Sequence, residues 1–123
     1  MKKHLLLPLL LVTLAGTGFA QGQKQDINKM EVQGIPIPVY VESQTQQMSK
    51  DLGLSAAQTK SLHDANTDIA IRTYNAEHAG DAAKIKDAKN AVATYRSAQY
   101  QKILTPKQYT TWAQTASSSQ RMR

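Results

Sequence analysis

The chain has 123 residues, a formal net charge of +6 at pH 7 and no cysteine. That length holds one domain, and the missing cysteine excludes disulfide bridges, thiolate catalysis, cysteine-type zinc sites and a lipidated cysteine. Leu, Ile and Val are sparse after residue 20 and Phe is absent there, so the chain buries little apolar surface alone and a symmetric oligomer is the expected remedy.

In chain order, residues 1–20 come first and read as a signal peptide. Met1-Lys2-Lys3-His4 is a basic start, Leu5 to Leu14 is an apolar stretch, and Gly18-Phe19-Ala20 fits a small-x-small cleavage site with the cut after Ala20. The apolar run is too short for the roughly 20 residues of a spanning helix. Export to a periplasm is the expectation. In that compartment nucleic acid is not an expected partner, and an acidic polypeptide or anionic lipid surface is the natural counterpart of the +4 left after residue 20.

Residues 21–42 read as a polar, then apolar, arm. Gln21 to Lys29 is Gln-rich. Val32, Ile35, Ile37, Val39 and Val41 are strand formers interrupted by Gly34, Pro36 and Pro38. Proline gives no ladder donor and pushes its predecessor to an extended shape, so the segment is read as an extended arm that docks apolar side chains, or as a disordered leader.

Residues 43–116 read as the helical domain. Ser43 is the candidate cap of a short helix that Gly53 stops. Leu54-Ser55-Ala56-Ala57-Gln58 opens a long second helix with a capping box, Ser55 and Gln58 each satisfying the other's free amide. Leu62, Ala65, Ile69 and Ala76 recur on it at helical spacing, and Lys60, Asp64, Asp68 and Arg72 form a row read as solvated surface. Gly80 breaks the pattern and Asp81 can cap a third helix to about Ile103, with Ile85, Ala88, Val92 and Tyr95 as its apolar stripe. Each long helix measures about 35 Å. Adjacent stop and start signals favour an antiparallel hairpin over one helix kinked at Gly80. Leu104-Thr105-Pro106-Lys107-Gln108 repeats the capping device ahead of a last helix carrying Tyr109, Trp112, Ala113 and Ala116, and residues 117–123 read as a frayed tail.

Two L-[S/T]-x-x-Q segments about 50 residues apart, the second within Ile103-Leu-Thr-Pro-Lys-Gln-Tyr-Thr-Thr-Trp, carry a resemblance. From Met48 to Ala116 the chain resembles the LTxxQ-motif, Spy/CpxP-like family of periplasmic proteins. The resemblance implies an all-α, elongated antiparallel hairpin with short flanking helices, dimerised into a curved cradle. It also implies an ATP-independent chaperone or envelope-stress role, with unfolded or partner polypeptides as ligands. The six motif residues, Leu54, Ser55, Gln58, Leu104, Thr105 and Gln108, are structural caps in this reading.

The third helix is the candidate polypeptide-binding element. Lys84, Lys86, Lys89, Arg96 and Lys102 outnumber Asp81 and Asp87, and form either a solvated face or a basic rim that draws in acidic unfolded segments. Tyr95, Tyr100 and Trp112 are the candidate apolar contacts, with core packing as the alternative and the preferred reading for Trp112.

His63 and His78 are separated by about 22 Å along one straight helix, so within it they cannot share an ion. No HxxxH, nucleophile elbow or phosphate loop is present. No catalytic residue, cofactor or metal ion is therefore expected, with His63 and His78 as weak metal candidates across a dimer. A metal-responsive or regulatory periplasmic protein, and a non-catalytic envelope interaction module, are the rival readings.

Overall fold

A computed structural model describes residues 26–121, with side chains as far as Ala116. The expected signal peptide and residues 21–25 of the arm lie outside the described residues. The described chain is all-α, with α1 (Ile37–Leu52), α2 (Ala56–Glu77), α3 (Ala82–Ile103) and α4 (Pro106–Arg121). Ahead of them stand a 3₁₀ turn at Ile27–Lys29 and two short strands, β1 (Glu31–Val32) and β2 (Ile35–Pro36).

The long helices begin and end where their signals stand. Ser55 and Gln58 close a reciprocal box at the start of α2, and Asp81 accepts from the Lys84 amide at the start of α3. Gly53, at φ 66° and ψ 48°, ends α1 in the left-handed region, and the Gly53 and Leu54 amides both donate to the Ser49 carbonyl. This cap turns the chain back, so α1 and α2 run antiparallel: Thr45 meets Asn66, and Ser49 meets Thr59 at 2.8 Å. α2 and α3 are the expected antiparallel hairpin, with Asp68 against Tyr95 and Asn66 against Tyr100.

The arm differs from its sequence reading. Of the described arm only the two short strands are extended, the second ending at Pro36, and α1 starts at Ile37, six residues before Ser43, which is an exposed residue inside the helix and caps nothing. Pro36 and Pro38 do not oppose this. One precedes the helix and the other lies in its first turn, where amides lack intrahelical acceptors anyway. Burial decides the outcome: Ile37 is fully buried and its amide donates to the Met30 carbonyl at 2.9 Å. Each such aliphatic side chain contributes roughly 1.5–3 kcal/mol on burial, more than the proline bias costs. At the other end, the α4 backbone helix runs on through residues 117–121, and residues 122–123 of the expected tail lie outside the described residues.

Among the described residues two apolar clusters hold the elements together. The larger joins Met48 of α1, Leu62, Ile69 and Ala76 of α2, Val92 and Tyr100 of α3, and Leu104. The smaller joins Met30 and Val32 with Ile37, Val41 and Ala70. β1 and β2 pair antiparallel, Val32 opposite Ile35, so residues 27–36 form a strap lying on α1 and α2.

Candidate functional site

The two boxes meet. Gln58 accepts from the Ser55 amide at 3.0 Å, and Gln108 accepts from the Thr105 amide at 3.0 Å. The Gln58 amide nitrogen then donates to Gln108 Oε1 at 2.8 Å and to the Ile103 carbonyl at 3.1 Å. The Gln108 nitrogen donates to the Leu52 carbonyl at 3.3 Å. Leu52 and Ile103 are the last residues of α1 and α3, whose end carbonyls lack intrahelical donors. Each glutamine thus completes the start of its own helix and the end of another. Leu54 and Leu104 pack into the larger cluster beside this junction. An open groove next to it is lined by Asp51, Leu52, Thr105, Lys107, Gln108 and Thr111. Single-box reasoning finds the caps but not their union, and the only sequence signal for it is the shared glutamine at the fourth position after each leucine.

The basic residues of α3 do not form one rim. At roughly 100° per residue, Lys86, Lys89 and Arg96 fall on the flank that carries Tyr100, and Lys84 and Lys102 on the flank that carries Tyr95. Lys84, Lys86, Lys89 and Lys102 are exposed, and among the described residues none of them makes an ion pair; Arg96 is half-buried.

The two tyrosines are not free contact residues. Tyr100 is 2% exposed and its hydroxyl donates to Asn66, whose amide nitrogen donates to Thr45 at 3.0 Å. Burial pushes its pKa up to about 12, against the opposing effect of Arg96. Trp112 meets its ring edge-on, 4.8 Å between centroids. Tyr100 is therefore core, not a surface contact. Tyr95 is half-buried, donates to Asp68 and lies under Arg72 at 3.8 Å. Burial, then the hydrogen bond and charge of Asp68, raise its pKa. The Asp68–Arg72 half of the row read as solvated surface is a clasp between α2 and α3.

The histidines are held apart. His63 lies 3.8 Å from Glu42 and 3.9 Å from Asp64, in exposed pairings. His78 caps α2, with Nδ1 2.7 Å from the Tyr74 carbonyl and its ring stacked on Tyr74. Among the described residues no group of three or more His, Asp or Glu is placed to hold a metal ion. No described helix is long and apolar enough to cross a membrane.

Comparison of the chain with protein-family models, with curated proteins and with solved structures finds no match in any of the three.

Proposed function

We propose that this is an exported, periplasmic protein of the LTxxQ type that binds unfolded or partner polypeptides without ATP. The observation that carries the reading is the pair of exposed basic flanks on α3: Lys84, Lys86, Lys89 and Lys102 have no ion-pair partner among the described residues, on a chain with a net charge of +4 after residue 20. Unneutralised lysines on a rigid helix draw acidic chains in and raise encounter rate more than affinity. The joined capping boxes support the reading from the side of the scaffold, because they fasten one end of each of the four described helices at one place. The thin core makes a homodimer part of the same proposal.

Light scattering of an aggregating acidic protein tests it. Stoichiometric full-length protein without nucleotide suppresses aggregation, and the Lys86→Glu/Lys89→Glu variant suppresses it less. Raised salt weakens the effect, since the attraction is long-range and screened. No suppression by the unaltered protein at either salt concentration overturns the reading.

A further inference from the structure

The strap fills a trough. Met30 and Val32 are 4% and 2% exposed, while Glu31 between them and Gln33 after them face outward. This is the alternation of an extended chain with one apolar face. Its seat consists of Ile37 and Val41 from α1 with Ala70, Ile71 and Tyr74 from α2, and this cluster is separate from the larger one.

The strap's own strand pairing is slight. Each strand has two residues, and an isolated two-stranded hairpin is marginal in water. The turn between the strands has φ 57° at Gln33 and 77° at Gly34. A two-residue hairpin turn with both φ positive favours Asn-Gly, and glutamine at its first position is strained.

We propose that the face of α1 and α2 beneath the strap is a binding trough for an extended polypeptide segment with apolar side chains at alternate positions, and that residues 27–36 are its intramolecular occupant. This deepens the reading above by naming where and in what conformation a polypeptide is held, and it rests on that reading. Opening the strap uncovers Val41, Ala70, Ile71 and Tyr74, a seat that a Met-x-Val sequence refills, and frees the Ile37 amide to pair with the incoming chain. The strap competes with any such segment, so the apparent affinity is the intrinsic one reduced by the fraction of open strap.

Two turn variants of the full chain change that fraction without altering the trough. Gln33→Asn relaxes the turn and closes the strap. Gly34→Val strains it through φ alone, since a Cβ there meets nothing within 4 Å. The probe is a fluorescent synthetic peptide of residues 26–34, read by anisotropy. Relative to the unaltered protein, Gly34→Val binds it roughly tenfold more tightly and Gln33→Asn more weakly. A peptide with serine in place of Met30 and Val32 does not bind. Hydrogen exchange of the Ile37 amide, whose acceptor is the Met30 carbonyl, speeds up in Gly34→Val and slows in Gln33→Asn while the α2 interior is unmoved. Should Gly34→Val lose its helical circular dichroism, Gln33→Asn alone decides. Equal peptide affinity across the folded proteins, binding of the serine peptide, or Ile37 exchange only at the α2 rate overturns the proposal. Peptide binding is read without any aggregating protein, so the trough can fail while the aggregation assay succeeds, and the reverse.

Discussion

Gln58 and Gln108 do more than the serine and threonine they are paired with. Ser55 closes one helix start, whereas Gln58 also donates to Ile103 and to Gln108. Ser55→Ala therefore costs about 1 kcal/mol. Gln58→Glu keeps the acceptor for the Ser55 amide but loses both donors and sets a carboxylate against two oxygens, at a cost of roughly 2–3 kcal/mol. Urea unfolding at neutral pH separates the two, and equal costs would show that the junction adds nothing. Tyr100 supplies a second test. Its pKa is raised from 10.0 to about 12 by burial, so folding favours the neutral phenol. The stabilisation is complete below pH 10 and is lost as pH rises from there through about 12. Tyr100 should contribute up to roughly 2–3 kcal/mol to the fall across that window, and Tyr100→Phe should make the fall shallower, leaving the part due to Tyr95, while lowering stability at neutral pH by about 1–2 kcal/mol, because Asn66 loses its donor. An unchanged alkaline slope in the variant would contradict the buried assignment.

Helix ends were legible and the arm was not, for reasons particular residues make plain. Gly53, Ser55, Asp81 and Thr105 act through groups one to four positions away, so their effect is written in the local sequence. Gly53→Ala should cost about 1 kcal/mol through its positive φ alone, since a Cβ there meets no neighbour; unfolding with no loss would mean that the αL cap does not hold α1. Ile37 is the contrary case. Its neighbours Pro36 and Pro38 argue for extension, and the helix forms because Val32, Met30 and Ala70 bury it. That information is 5 to 33 residues away and invisible to periodicity. The same holds for the candidate site. Exposed lysines on α3 were readable from composition, but which flank each occupies relative to Tyr95 and Tyr100, and that Tyr100 is core, depend on where α1 and α4 pack. Gln58 and Gln108 were readable as caps, and their meeting across 50 residues was not.

The described residues form a helical frame with apolar side chains concentrated in two places. The larger cluster binds α1, α2 and α3 to one another, and the smaller binds the strap to α1 and α2. Toward the Gly80 turn the α2–α3 pair is held by small side chains such as Ala76 and Ala88, with Ile85 only half-buried. A core this small is compatible with the proposed polypeptide binding, in which charged flanks capture and an apolar seat holds. The measurement that tests this most directly is anisotropy of a labelled, reduced and carboxymethylated, permanently unfolded acidic protein titrated with the full chain, without nucleotide, at two ionic strengths. Saturable binding that weakens at the higher salt is the expected result. An anisotropy that stays flat to high micromolar protein at both would contradict it.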